Sequence, residues 1–281
     1  MAHLELTGRS GPKKRWSFFS LKSSAASALQ RSEYWLPSLI LLVAIGFWEW
    51  AARREVISTL FFPAPSIIIT TLIRSFASGQ MIAHGGATLW RIFLAFLIGG
   101  LPAMIIGMAM GWSRRLRAGI DPFVAAAHPV PKIALLPLAM IFFGIGEPSK
   151  VVTIAAAAFF PMLINCMAGV QQINFIHFEV AKNFRANPWR VFKQIVWPGS
   201  LPMVITGARL SINVAFLITI SIELVSATKG LGVMIWFAWE TLRTEELYAG
   251  LIVIAALGIG INVLLKRLRR HLVPWRPEHE A

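Results

Sequence analysis

A chain of 281 residues that is 56% hydrophobic and 14% charged, with 11 Trp, 19 Phe and a mean hydropathy of +0.65, is too apolar for one or two soluble domains. Its net charge of +14 does not mark a nucleic-acid binder, because the cations sit beside apolar runs rather than on one soluble domain or binding motif. A single cysteine, Cys166, excludes an intramolecular disulfide and a cysteine-built metal centre, and no pattern calls for a cofactor.

Residues 1–34 are mostly polar and carry Arg9, Lys13, Lys14, Arg15, Lys22 and Arg31, which reads as a basic cytoplasmic tail lying on anionic lipid and not as a cleaved signal. Apolar runs follow that are long enough to cross the hydrocarbon as helices. The hydropathy pattern places spans at 35–52, 89–112, 123–143, 151–170, 201–225 and 247–265, within a membrane domain covering 35–270, and a cytoplasmic tail at 271–281. The fold class is therefore all-α: a polytopic membrane protein with about six transmembrane helices. With the N-terminus inside, only Arg53, Arg54, Arg74, Lys150, Lys229 and Arg243 of the 27 basic residues fall on outer segments, in keeping with the positive-inside rule.

Between the first two spans, FFPAPSIIITTLIRSF has prolines that can start a helix, then Ile69, Leu72, Ile73 and Phe76 at helical spacing. It reads as an interfacial helix on the outer side or one that packs on the bundle. Gly107 and Gly111 in the second span permit close helix contact, within the chain or between subunits. In the third span Pro129, Pro131 and Pro137 must interrupt or kink the helix. Lys132 stands among them with His128. A lysine there costs on the order of 2.5–3.5 kcal/mol, so it faces a wet translocation path, meets a partner, or snorkels. Glu223, towards the outer end of the fifth span, is either a path residue or a carboxylate paired near an outer gate. One acid and one histidine on different spans do not make a proton relay. Arg209 reads as an anchor at the inner end of the fifth span.

The stretch FEVAKNFRANPWRVFKQIVWPGS, residues 178–200, is basic in a chain poor in charge. Phe178, Ala181 and Phe184 share one face of a short helix. Asn187 then caps a second helix with Pro188 at its first position, and Pro198 stops it. Two short helices joined by a tight turn form an elbow projecting into the cytoplasm.

Glu179-Val180-Ala181, Arg185 six residues after the glutamate, and Ile195-Val196-Trp197-Pro198 resemble the EAA loop of binding-protein-dependent ABC importer permeases, E-A-A, three residues, G, nine residues, I-x-L-P. Val180, Arg185 and Trp197 depart from it, and Arg185 in place of the glycine forbids a conformation that only glycine tolerates. FFPAPS, HPVPKIALLPLAMIFFGIGEPSK, AAFFPMLIN, PGSLPMVITGARLS and ATKGLGVMI extend the resemblance to the nitrate, sulfonate, taurine and bicarbonate branch of that family. The resemblance implies a type I importer permease, one half of a pore made by two copies, and a coupling loop at 172–200 that docks on a separate ATPase through Glu179, Ala181, Phe184, Arg185 and Ala186. It further implies two cytoplasmic ATP-binding subunits, an external solute-binding protein, a bacterial inner-membrane location and a small oxyanion or organic solute. The chain carries no G-x-x-x-x-G-K-[ST] phosphate loop, so ATP must be bound elsewhere and the chain is not itself an enzyme. An ion- or proton-coupled secondary transporter is the alternative.

Overall fold

A computed structural model describes residues 21–274. The tails expected at 1–34 and 271–281 fall largely outside the described residues. The chain divides after Thr59. The first unit holds helix α1, Leu21–Arg53, whose apolar part Trp35–Arg53 coincides with the first expected span.

The second unit is a helical bundle. Helix α2 is Pro65–Ala77, α3 Gln80–Trp112, α4 Arg114–Ala127, α5 Leu136–Phe143 and α6 Glu147–Gln171. Then come α7 Phe175–Asn183, α8 Pro188–Ser226, α9 Leu231–Glu240 and α10 Thr244–Leu272. No strand occurs among the described residues. Counting α1, five helices among the described residues are long and apolar enough to cross a membrane, or six when the bent pair α4 with Lys132–Phe143, at the place of the third expected span, counts as one span.

That third span differs from the straight helix the hydropathy suggests. It folds back by 93° at His128–Pro131, and α4 begins at Arg114, nine residues before the expected start. Pro129 and Pro131 make the break. Pro137 does not, because it occupies the first turn of α5, where its missing N–H costs nothing.

The fifth span differs in the other direction. Pro198 does not stop a helix, since α8 runs unbroken through it for 39 residues, about 58 Å at 1.5 Å per residue. The turn before it, Phe192–Val196, is a wide π turn, and the Trp197 N–H reaches back five residues to the Phe192 carbonyl. This leaves Pro198 in the first turn of the α-helix that follows. Helix α3 repeats the device: Phe96–Gly100 is a π turn, Leu101 N–H bonds to the Phe96 carbonyl, and Pro102 follows. A proline inside an α-helix clashes with the carbonyl four residues back, and one extra residue in the turn relieves that clash.

The core centres on α6, which packs against α3, α5 and α8. Small residues at four-residue spacing on α3 permit the closest approach. Ala103 is fully buried, and a Cβ added to Gly107 would stand 2.4 Å from the Leu163 carbonyl oxygen, or at Gly111 2.6 Å from Val170 Cβ. The contact left open by the sequence is thus intramolecular. Without a hydrophobic drive between helices in lipid, such close packing is a main source of association.

Helix α2 turns its stripe the other way from a soluble amphipathic helix. Ile68, Thr71 and Ser75 are buried, whereas Ile69, Ile73 and Phe76 are exposed. In the apolar solvent of a bilayer the greasier face can point outward.

Gly107→Leu should abolish recovery of folded protein, because overpacking against a backbone carbonyl costs about 1–3 kcal/mol or more. Gly119→Ala, with open space around the added carbon, should not. Size-exclusion chromatography of detergent extracts separates the two outcomes.

Candidate coupling elbow and ion cluster

Helices α6 and α8 run in opposite directions, so the bundle has two ends. One carries the elbow, residues 172–200; the other carries Glu147 at the start of α6 and Glu223 near the end of α8.

The elbow forms from local rules. Asn174 Oδ1 accepts from Ile176 N (3.0 Å) to start α7, and Asn187 Oδ1 accepts from Arg190 N (2.7 Å) to start α8, with Pro188 at its first turn. Between them α7 closes in a Schellman turn: Ala186 N donates to the Ala181 carbonyl (2.9 Å) and Arg185 N to the Lys182 carbonyl (3.0 Å). Arg185 is the left-handed residue of that turn, at φ 50°. The position where the loop pattern has glycine is thus left-handed, a conformation that glycine favours and an L-residue can still reach. Arg185 adopts it, at a cost of roughly 1–2 kcal/mol for an L-residue. Glu55 (φ 55°) and Leu242 (φ 56°) close α1 and α9 in the same way.

Glu179, Phe184 and Arg185 are exposed, Phe184 by 82%. Ala186 is half-buried and Ala181 is buried, so Ala181 serves the turn and the wall of a groove rather than an open surface. The groove, about 460 Å³, lies inside the elbow between Val180, Ala181 and Phe184 on one side and Val191 and Ile195 on the other. Phe192 stacks on Trp112 at the end of α3 (5.9 Å between ring centroids) and on Trp189 (5.7 Å), seating the second limb against the bundle.

Lys132 sits at the break in the third span. Its Nζ donates to the carbonyls of Ala127 (2.7 Å), Val130 (2.8 Å) and His128 (2.9 Å), and lies 4.2 Å from the Phe160 ring centroid. A helix end inside a membrane leaves carbonyls without partners, and this ammonium satisfies three of them. His128 is exposed and leans on Phe160, 5.6 Å between centroids. Arg209 joins α8 to α10 through Asn262 Oδ1 (3.1 Å).

At the other end, Glu223 is 1% exposed and Arg91 3%. Arg91 Nη1 donates to Glu223 Oε1 (2.6 Å) and to the Lys229 carbonyl (2.7 Å), while Nε and Nη2 form a fork on Glu147 (2.7 and 2.8 Å). Lys150 Nζ adds a bond to Glu147 Oε1 (3.0 Å). Glu223 also accepts from the Thr88 hydroxyl (2.9 Å) and from Gly232 N (3.0 Å), and Thr88 Oγ1 accepts from Leu231 N. Gly230 and Gly232 are required by this packing: a Cβ at Gly230 would stand 2.2 Å from Glu223 Cδ, and at Gly232 2.7 Å from Glu223 Cβ. Glu223 therefore sits in a saturated ion pair at the end opposite the elbow. Among the described residues no group of three metal-ligating side chains occurs.

Residues 103–276 match the family described as binding-protein-dependent transport system inner membrane component. The chain is 35% identical to the taurine transport system permease protein TauC of Escherichia coli, over 85% of this chain and 88% of that one. The chain belongs to this permease family. It is also 32% identical to the putative aliphatic sulfonates transport permease protein SsuC of Bacillus subtilis, over 93% of this chain and 97% of that one. Its fold is that of chains in solved ABC transporters. It superposes on a chain of the inward-facing MetNI methionine ABC transporter with TM-score 0.63 at 16% identity, covering 70% of this chain and 97% of that one. An amino acid ABC transporter gives 0.58, covering 72% and 97%.

The permease is thus a multi-pass membrane protein and a transport subunit rather than an enzyme. Of its notable polar residues, sequence reading picked out Glu223, Lys132 and His128 and missed what surrounds them. Lys150 entered only as a basic residue on an outer segment, and Arg91 and Glu147 were not singled out. Their partners lie 56 and 132 positions apart, and only the glycines of KGLG hint at a close approach.

Glu223→Ala should lower stability by about 3–5 kcal/mol, because Arg91 is left without half its compensation in a buried site. Thr88→Val should cost about 1–3 kcal/mol. Thermal unfolding in one detergent gives the order. At the elbow, Arg185→Gly should change stability by less than about 1 kcal/mol, since strain relief is offset by unfolded-state entropy. Arg185→Val, β-branched at positive φ, should lose the turn. Limited proteolysis between 183 and 188 reads the difference.

Proposed function

We propose that the chain is the membrane-spanning half of an ATP-driven importer of small sulfonates, taurine or aliphatic sulfonates, and that the elbow at 172–200 is its coupling surface. The single observation that carries this reading is the elbow itself: a capped, strain-closed hinge whose exposed edge bears Glu179, Phe184 and Arg185 and whose second limb is the first part of a spanning helix. A contact surface so built moves the bundle when its partner moves.

The elbow faces the cytoplasm in this reading, together with both termini. Arg114, Arg115 and Arg117 lie next to it, at the start of α4, and Lys266, Arg267, Arg269 and Arg270 cluster in the last turns of α10. Such a basic end is the inner end of a bacterial inner-membrane protein. Two copies of the permease form the pore, two ATP-binding subunits grip the two elbows, and a solute-binding protein delivers substrate at the end that carries Glu147. Lys132 and His128 support the shape of the path rather than a charge within it. The substrate class follows from the two relatives whose names give taurine and aliphatic sulfonates.

Phe184→Asp and Glu179→Lys should each reduce co-purification of the ATP-binding subunit at least tenfold without changing membrane insertion. Unchanged recovery of the complex with both variants would overturn the elbow's role. Uptake of radiolabelled taurine or an alkanesulfonate by cells carrying the whole system tests the substrate, and uptake independent of ATP would contradict the energy source.

A further inference from the structure

The two carboxylates of the ion cluster are unequal. Glu223 is enclosed: it accepts from Arg91, Thr88 and Gly232, and Gly230 lies against its carboxyl. Among the described residues Glu147 is bonded to Arg91 and Lys150 alone, and its side chain is 54% exposed while those of Arg91 and Lys150 are 4% and 5% exposed. It is the first residue of α6, so its carboxylate can swing into solvent by side-chain rotation, with no change to the helix. Two buried cations are thus covered from the solvent side by one tethered anion.

What lies beneath that anion is a set of three donors, Arg91 Nε, Arg91 Nη2 and Lys150 Nζ, converging at 2.7, 2.8 and 3.0 Å on its two oxygens. The planar fork of a guanidinium with an added ammonium fits the oxygens of a sulfonate or sulfate as it fits a carboxylate. The exchange conserves charge. With Glu147 in place the cluster holds Arg91 and Lys150 against Glu147 and Glu223; with Glu147 swung out and a monoanion bound, the same two cations face two anions. A neutral or cationic solute has no such route, because removing Glu147 without replacement leaves buried cations uncompensated.

We propose that Arg91 and Lys150 form a binding site for a small oxyanion, a sulfonate head group, at the end of the bundle opposite the elbow, with Glu147 as its displaceable stand-in. Its role as an entry station rests on the sulfonate reading above; the binding itself does not. Because Arg91 also holds Glu223, on α8, and the Lys229 carbonyl, an anion that takes the place of Glu147 acts on the groups that join α3, α6 and α8.

The experiment uses the full-length permease in its complex and methanesulfonate as probe. Glu147→Gln removes the tethered anion. The variant should unfold at lower temperature than the parent in chloride, and 50 mM methanesulfonate should raise its midpoint by at least about 4 °C over chloride at equal ionic strength, against a third of that or less for the parent. The double variant Glu147→Gln with Lys150→Met, which restores neutrality, should lose most of the response. Equal responses of all three proteins, or of none, would overturn the site. So would failure to recover folded Glu147→Gln when methanesulfonate is present throughout purification, since the anion is then not replacing the carboxylate. Rescue by methanesulfonate in a complex that takes up no sulfonate supports the site and removes the substrate reading instead.

Discussion

One helix joins the two ends of this permease. Helix α8 starts in the elbow at Pro188 and ends at Ser226, three residues past Glu223, and nothing in its 39 residues breaks it. That continuity depends on the π turn at Phe192–Val196, which lets the backbone pass Pro198. A chain ending its helix at Pro198 would leave the elbow as a loosely attached loop. With the helix unbroken, a displacement of the elbow is a displacement of the groups that hold Arg91.

The rest of the fold protects that rod. In hydrocarbon every backbone group needs a partner within the protein, and three irregular points here are so provided. Lys132 satisfies the carbonyls opened by the bend of the third span, and the π turns in α3 and α8 keep their ladders running past Pro102 and Pro198. Helix α6 lies against both long helices through small residues, Gly107 and Gly111 on α3 and Gly207 on α8, where an added Cβ would meet Asn165 Cβ at 2.9 Å. The three αL turns closed without glycine, at Glu55, Arg185 and Leu242, store modest strain at helix ends.

Much of this was legible in the sequence, for physical reasons that also mark the limit. Spans are visible because a hydrocarbon slab demands long apolar runs, and the caps of the elbow because Asn-Pro is a local signal that no tertiary contact had to complete. Pro198 misleads for the same reason. A proline reads locally as a stop, whereas the π turn that absorbs it becomes worthwhile only because α8 continues into a packed span. Helix α2 fits both readings open to it, since it packs on the bundle through Ile68, Thr71 and Ser75 and leaves the apolar stripe of Ile69, Ile73 and Phe76 facing outward. Of the ion cluster, only the pairing of Glu223 was readable, not its partners. Arg91, Glu147 and Glu223 belong to three helices, and only the fold brings both carboxylates within 3 Å of Arg91.

The central claim is that the elbow meets a separate ATP-hydrolysing subunit on the cytoplasmic side. With Cys166 buried out of reach of a reagent, Phe184→Cys provides the most direct test. In oriented membrane vesicles it should be labelled by an impermeant thiol reagent only from the cytoplasmic face, and a short bifunctional cross-linker should join it to the ATP-binding subunit. Labelling from the external face, or full cytoplasmic labelling with no cross-link to that subunit in the assembled complex, would contradict the claim.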